Sequence, residues 1–138
     1  MHSLIREYCK HIKKKQLEVL RLDKRKGVWF WDLPACATIC HDGKYKKRSR
    51  GYSHRPKGTK WHAKLRADLI SKLGEIGKHS RYCPYIIGNC AEQHAANNYM
   101  NKYKVNKMNL FYFTETVRPR TMEIIPSCKN CKTLFPNL

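Results

Sequence analysis

Three cysteines and one glutamate are the residues of this sequence whose types and spacing could do chemistry. Cys90 and Glu92 stand two positions apart, and Cys128 and Cys131 stand three positions apart near the C-terminal end. Three thiolates can hold a zinc ion tetrahedrally and leave one position open for water, as in a catalytic site. Bound zinc lowers the pKa of such a water to about 7, and a nearby carboxylate can then move protons. We therefore predict a catalytic Zn2+ site with Cys90, Cys128 and Cys131 as ligands and Glu92 as the proton carrier.

A closed structural zinc site is the alternative interpretation of the same residues. Cys83 could join the three cysteines above and complete a four-cysteine site in a non-catalytic, zinc-stabilised nucleic-acid-binding module. A Cys-x-x-Cys pair alone is compatible with many structural uses. Against this alternative, Cys83 and Cys90 do not have knuckle spacing, and a closed site gives Glu92 and Pro126 no role.

The two motifs carry a resemblance to a known superfamily. Cys90-Ala91-Glu92 and Pro126-Ser127-Cys128-Lys129-Asn130-Cys131 resemble the H-x-E and P-C-x-x-C motifs of the cytidine deaminase-like superfamily, in an all-cysteine variant. The chain looks most like the small nucleic-acid deaminase domains of bacterial polymorphic toxins, from about Ala35 to its end. Ser127 is a departure, because it separates the proline and cysteine that are adjacent in the commoner motif.

The resemblance implies a fold, a ligand set and a reaction. The fold is α/β, a three-layer α/β/α sandwich with a mixed sheet, C-terminally short because the chain ends seven residues after Cys131. The reaction is zinc-dependent hydrolytic deamination of cytosine to uracil in nucleic acid, by a hydrolase acting on C–N bonds in cyclic amidines. Single-stranded DNA is the first expected substrate, because an unpaired base spares the energy of extraction from a duplex. Duplex DNA and RNA stay open as substrates, and adenosine deamination stays open as the reaction.

A toxin setting would add a partner and a location. It implies delivery into a competing cell within a larger secreted protein, action in a reducing cytoplasm, and an acidic immunity protein as partner. The sequence itself contains no apolar run of transmembrane length and no apolar core of a signal peptide, so we expect no membrane partner. The seven cysteines cannot all pair within the chain. We expect Cys9, Cys36 and Cys40 to be buried free thiols.

The net charge of the chain points to polyanions. The 138 residues carry a formal charge of +19, and such a field favours nucleic acid as the partner. The alternative interpretation is that these charged residues form an ordinary solvent-exposed surface without a binding role. We expect one basic stretch to contact phosphates, and the superfamily resemblance implies that it borders the mouth of the active site: Lys46, Lys47, Arg48, Arg50, Arg55, Lys57 and Lys60.

A flat base also needs stacking and hydrogen-bonding partners near the metal. The candidate substrate-binding residues are Asn89, Thr38, Trp61, His62, Tyr85 and Ser127. Each has a structural alternative: Asn89 could cap the helix that follows it, Thr38 could pack within a strand, and the aromatic residues could belong to the core. His94 lies two positions after Glu92, so we expect it to face away from the metal.

The elements that must position these residues follow from periodicity and turn signals. We predict one domain over 1–138, with an N-terminal helix and linker over 1–27 and a core over 28–138. Helical spacing covers 2–22, 61–74 and 90–103, and a short helix begins at Cys128. Strands are predicted over 35–40, 44–50 and 108–117, with Asp42-Gly43 as a tight turn. Residues 122–125 lead to Pro126 with no element assigned to them. A short strand or aromatic cluster is predicted for 28–31.

Overall fold

A computed structural model describes residues 1–22 and 33–138, so the predicted helix end at 23–27 and the aromatic run at 28–31 lie outside the described residues. Its helices are α1 (Ser3–Leu22), α2 (Ala63–Lys72), α3 (Ala91–Tyr103) and α4 (Lys129–Leu134). Its strands are β1 (Ala37–His41), β2 (Arg48–Tyr52), β3 (Tyr112–Phe113), β4 (Thr116–Arg118) and β5 (Glu123–Ile125). The α/β class is confirmed.

The sheet has the strand order β2-β1-β4-β5, and β3 pairs with β1 beside β4. Every pairing in the described part of the chain is antiparallel, so the mixed sheet that the resemblance implied is not found there. Short connections account for two of these pairings, β1 with β2 and β4 with β5. Residues 42–47 and 119–122 are short turns that reverse the chain, whereas parallel neighbours need a long crossover.

Helices cover both faces of the sheet, which explains why all five residues of β1 are buried. On one face, Ala37 and Ile39 share a core with Ile5 and Tyr8 of α1. On the other face, Cys40 packs in the core that α2, α3 and α4 build. The alternation along β1 therefore places odd-numbered residues against α1 and even-numbered residues against α3.

The hairpin between β1 and β2 has a longer turn than the Asp-Gly pair predicts. The Asp42 carboxylate accepts hydrogen bonds from the backbone N–H groups of Lys44 (2.8 Å), Lys46 (3.3 Å) and Lys47 (3.3 Å). This side chain stabilises a turn over 42–47. The return strand consequently begins at Arg48. The predicted start at Lys44 is wrong.

The prediction of one continuous strand over 108–117 is wrong, because the structure divides this segment. A 3-10 turn occupies Met108–Leu110, and the remainder is divided into β3 and β4. At the break, the Thr114 hydroxyl accepts the Ile39 N–H (3.1 Å) while the Thr114 N–H donates to the Ile39 carbonyl (2.9 Å). A side chain thus replaces one partner of the backbone ladder at this point.

A close contact between β2 and α3 fixes the position of the motif helix. A Cβ atom added to Gly51 would lie 2.2 Å from the backbone nitrogen of Ala95. Only glycine therefore allows α3 to lie this close to the sheet. The contact determines where the first turn of α3, with Cys90 and Glu92, lies relative to β1 and β2.

Among the described helices, none combines the length and the apolar character that a membrane crossing requires.

Candidate metal centre and active site

The three predicted ligands come together at the start of two helices. Cys90 is the N-cap residue of α3, Cys128 is the N-cap residue of α4, and Cys131 lies fully buried in α4. Their sulfur atoms all lie within 4.8 Å of one another, and the Sγ atoms of Cys90 and Cys128 are 3.4 Å apart. Zn–S bonds of about 2.3 Å in a tetrahedron place two sulfurs about 3.8 Å apart. The cluster therefore has the dimensions and the donor type that zinc requires.

The thiols of this cluster do not ionise alike. Hydrogen bonds from the thiols of Cys131 and Cys90 lower the pKa of Cys128, and the first backbone N–H groups of α4 add to this effect. The hydrogen bond to Cys128 raises the pKa of Cys90, and burial raises the pKa of Cys131. Without a cation the cluster therefore favours one thiolate that accepts hydrogen bonds from two thiols. Three thiolates need a metal ion to compensate their charge.

A fourth cysteine does not close the site. Within the described ranges, no other Cys, His, Asp or Glu joins the three sulfurs at the same mutual distance. The Cys83 carbonyl accepts the Ser80 hydroxyl (3.4 Å) in a turn before the motif, and its thiol is not part of the cluster. This geometry does not support the four-cysteine alternative with Cys83.

Gln93 supports the cluster and was missed in the sequence. It is fully buried, and its Nε2 group donates to the Cys131 sulfur (3.8 Å) while its Oε1 atom accepts the Gly88 N–H (2.8 Å). A donor to a ligating sulfur orients it and moderates its charge. The signal in the sequence is weak, because a glutamine one position after Glu92 is as compatible with an exposed helix surface.

Glu92 lies in the first turn of α3 and is 3% exposed. Burial raises the pKa of its carboxyl group, and hydrogen bonds that favour the carboxylate, among them one from the Ser127 hydroxyl, oppose this rise. The raised pKa makes the uncharged, protonated form of this group easier to populate than in a surface glutamate. Glu92 is thus a buried carboxyl group that can hold a proton beside the three sulfurs.

A cavity of about 290 Å³ opens directly onto Cys90, Cys128 and Glu92. Of the predicted substrate-binding residues, Asn89 and the exposed Tyr85 line it. Asn89 does not cap α3, because Cys90 occupies the N-cap position. The other polar or ionisable residues of the lining are Cys36, Ser53, Thr116 and Arg118.

The other predicted base contacts lie elsewhere. Thr38 is buried and its hydroxyl donates to the Thr114 carbonyl (3.2 Å). Trp61 packs against the main core and the His94 ring, and His62 caps α2 by accepting the Lys64 N–H (3.2 Å). None of these three lines the cavity, and each side chain has a structural partner elsewhere. Ser127 does not line it either, but its side chain lowers the pKa of Glu92.

His94 faces away from the metal cluster, as predicted. Its Nε2 atom lies 3.0 Å from the His54 carbonyl oxygen, and its ring stacks on the His54 ring at 3.6 Å. Burial, followed by the neighbouring His54, lowers the pKa of His94 to about 4. This histidine ties the middle of α3 to the loop that follows β2.

The predicted phosphate contacts separate into two groups. Lys46, Arg48 and Arg50 line a wide groove of about 750 Å³ between β2 and the C-terminal half of α3. Arg48 pairs with His41, at the opposite end of the hairpin from Cys36 and Ser53 of the cavity. At about 3.4 Å per residue, the four residue steps from Arg48 to Tyr52 separate the two ends of the strand pair by roughly 14 Å. The prediction that this part borders the cavity mouth is therefore wrong.

The remaining basic residues lie nearer to the cavity or beside the groove. Arg55 follows His54, whose N–H donates to the carbonyl of the cavity residue Asn89 (3.1 Å). Lys57 and Lys60 belong to the same loop before α2, and the Lys60 carbonyl accepts the Asn97 amide of α3 (3.0 Å). Lys47 places its ammonium group 5.9 Å from the centre of the Tyr103 ring at the end of the groove.

No protein-family model matches this chain, and neither the curated proteins nor the solved structures contain a significant match to it. The superfamily resemblance therefore remains a prediction that rests on its motif residues.

Proposed function

We propose that this chain is a zinc-dependent deaminase that hydrolyses cytosine to uracil in nucleic acid. The observation that carries the proposal is the shared cavity: the buried Glu92 opens onto the same 290 Å³ space as Cys90 and Cys128. A metal-ligand cluster with a protonatable carboxyl group beside it is the arrangement that hydrolytic deamination requires. The superfamily resemblance of the two motifs supports the same reaction.

Each residue of the site has a role in this reaction. Cys90, Cys128 and Cys131 would hold zinc, which supplies Lewis-acid chemistry and lowers the pKa of the attacking water. Glu92 takes a proton from that water as its oxygen adds to C4 of cytosine, and passes it to N3 of the ring. A second proton moves through Glu92 to the C4 amino group, which leaves as ammonia, so that cytosine and water yield uracil and ammonia. Burial raises the pKa of Glu92, so its protonated form is more accessible than that of a surface glutamate.

Nucleic acid is the substrate class that charge favours. A net charge of +19 on 138 residues and a groove lined by Arg48, Arg50 and Lys102 supply sequence-independent affinity for phosphates. A cavity of about 290 Å³ is large enough for one base, and a base that enters it must leave its stack. Single-stranded DNA is the preferred substrate because it offers such a base at the lowest energetic cost.

A deep-sequencing deamination assay tests the proposal. Zinc-loaded protein is incubated with sequence-matched pools of single-stranded DNA, duplex DNA and RNA, and C-to-T conversion is counted in each pool. The Glu92→Ala variant should lose at least a hundredfold of the conversion rate, because general acid–base catalysis contributes about that much or more. It should retain its zinc. Glu75→Ala, which removes an exposed carboxylate outside the cavity, is the matched control and should convert as the parent does.

The other outcomes separate the rival activities. A-to-G reads that depend on Glu92 would move the reaction to adenine, and conversion in the RNA pool alone would move the substrate to RNA. No conversion in any pool by fully zinc-loaded protein that still binds nucleic acid would overturn the proposal in favour of a non-catalytic binding module.

A further inference from the structure

The hydroxyl group of Thr116 is a buried polar group without a partner. Thr116 is 5% exposed, and its Oγ1 atom has no hydrogen-bond partner among the described residues. Two other buried threonines of this sheet, Thr38 and Thr114, have bonded hydroxyl groups. A buried hydroxyl group without a hydrogen bond destabilises the folded state, and such groups call for a specific explanation. Thr116 lines the cavity onto which Glu92 opens, so a ligand in that cavity could supply the missing partner.

Arg118 lies two residues further along β4. Side chains two residues apart lie on the same face of a strand, and Arg118 lines the same cavity as Thr116. In residues 1–22 and 33–138, no carboxylate forms an ion pair with it within 4.0 Å. Arg118 is only half-buried, whereas Thr116 is almost fully buried. The wall therefore combines an almost fully buried threonine with a half-buried arginine that has no ion-pair partner among those residues.

We propose that β4 is the nucleotide-recognition wall of this cavity, in which the Thr116 hydroxyl bonds the polar edge of the base and the Arg118 guanidinium binds an adjacent phosphate. A hydroxyl group can donate to or accept from a base edge. A guanidinium group matches the geometry of phosphate oxygens and binds them through paired hydrogen bonds. The order of burial fits a nucleotide that enters base first. This inference rests on the proposed function and names the groups that would recognise its substrate.

Binding to short strands tests the two contacts separately. Zinc-loaded protein with Glu92→Ala, which cannot turn over its ligand under the proposed mechanism, is titrated calorimetrically with trinucleotides. The central position carries deoxycytidine, deoxyadenosine or an abasic sugar. Thr116→Val in this background should weaken binding of the preferred base about tenfold and leave abasic binding unchanged, because it removes one hydroxyl group and little volume. Arg118→Gln should weaken all three strands about tenfold, because it removes a phosphate contact.

Thermal unfolding distinguishes recognition from structural support. Thr116→Val should leave the unfolding temperature unchanged or raise it, because valine removes an unbonded buried hydroxyl group. Thr114→Val is the matched control, since it removes a bonded hydroxyl group from the neighbouring strand segment. It should lower the unfolding temperature without a change in trinucleotide affinity. Thr116→Ser, which keeps the hydroxyl group, should bind within twofold of its parent.

The outcomes separate this inference from the proposed function. Preference for deoxyadenosine with the same dependence on Thr116 and Arg118 would support the wall and remove cytosine from the proposed function. Cytosine deamination by the parent protein together with trinucleotide binding that neither substitution alters would overturn the wall alone. A parent that binds no trinucleotide at all would also overturn the wall.

Discussion

The metal cavity and the basic groove use the two ends of the same helix in opposite ways. The first turn of α3 carries Cys90 and Glu92 into a cavity of about 290 Å³, whereas its last turns line a groove of about 750 Å³ with Asn98 and Lys102. The cavity groups are removed from water, and their pKa values are shifted. The groove cations Lys46, Arg48, Arg50 and Lys102 are exposed. The difference teaches that burial creates reactivity in this chain, while affinity for polyanions can be supplied from its surface.

Removal of one ligand should break the cavity most severely. Cys131→Ser should reduce bound zinc from about one ion per chain to near zero, because serine is a poor zinc ligand and Cys131 is fully buried at the cluster. Loss of the metal contribution to folding should lower the unfolding temperature by about 10 °C or more. Metal analysis and differential scanning calorimetry provide the measurements. Cys9→Ala, in the separate core against α1, should keep its zinc, and equal zinc loss in both variants would contradict the assignment.

A methyl group at Gly51 should damage both regions together. Its Cβ would lie 2.2 Å from the Ala95 backbone nitrogen, so α3 would have to move away from β2. We expect a loss of about 3 kcal/mol or more in the free energy of unfolding, as in overpacked cores. Chemical denaturation measures this loss, and Ser49→Ala on the same face of β2 should cost less than about 1 kcal/mol. A Gly51→Ala protein as stable as the parent would show that the contact does not position α3.

His94, in the middle of α3, should make the free energy of unfolding fall at acid pH. His94 has a folded-state pKa of about 4 against an ordinary value of 6.5, so the unfolded chain binds a proton that the folded chain does not bind. Stability should therefore rise with pH between these values and fall by about 2–3 kcal/mol as pH drops through them. Denaturation at a series of pH values measures the slope. His94→Gln should flatten it, whereas substitution of the exposed His11 should leave it intact.

Neutralisation of the groove should have the smallest effect and should leave the cavity unchanged. Arg48→Gln with Lys102→Gln should weaken single-stranded DNA binding about tenfold at low salt and reduce the slope of log affinity against log salt by about 1.4. Zinc content should not change. Fluorescence anisotropy over a salt series checks this expectation. Lys10→Gln with Lys14→Gln on α1 removes the same charge outside the groove, and an equal change in slope would show that only net charge matters.

The sequence predicts the cluster better than the cavity around it. The spacing of Cys90, Cys128 and Cys131 and the helix periodicity are local properties, and the structure brings these three sulfurs together. Thr116 and Arg118 join the cavity only because the antiparallel order of the sheet places β4 beside β1, and no local pattern encodes this. Topology also decides the position of Arg48.

Local chemistry explains the errors in the strands. The Asp42 carboxylate organises three backbone N–H groups and delays the return strand, and the Thr114 hydroxyl interrupts the strand that apolar residues predict. Both effects depend on a side chain that finds a backbone partner, which periodicity does not report. The prediction that Thr38 contacts the substrate failed for the same reason. Its hydroxyl group has a backbone partner within the sheet, the Thr114 carbonyl.

The length of α3 sets the distance between the metal cavity at its first turn and the far end of the basic groove at its last turn. Its thirteen residues span about 20 Å at a rise of about 1.5 Å per residue. A strand with stacked bases advances about 3.4 Å per nucleotide, so about six nucleotides are needed to reach from the cavity to the far end of the groove. Oligonucleotides shorter than this would engage one end at a time. A polynucleotide substrate should therefore show a length threshold in its affinity, fixed by the rigidity of one helix.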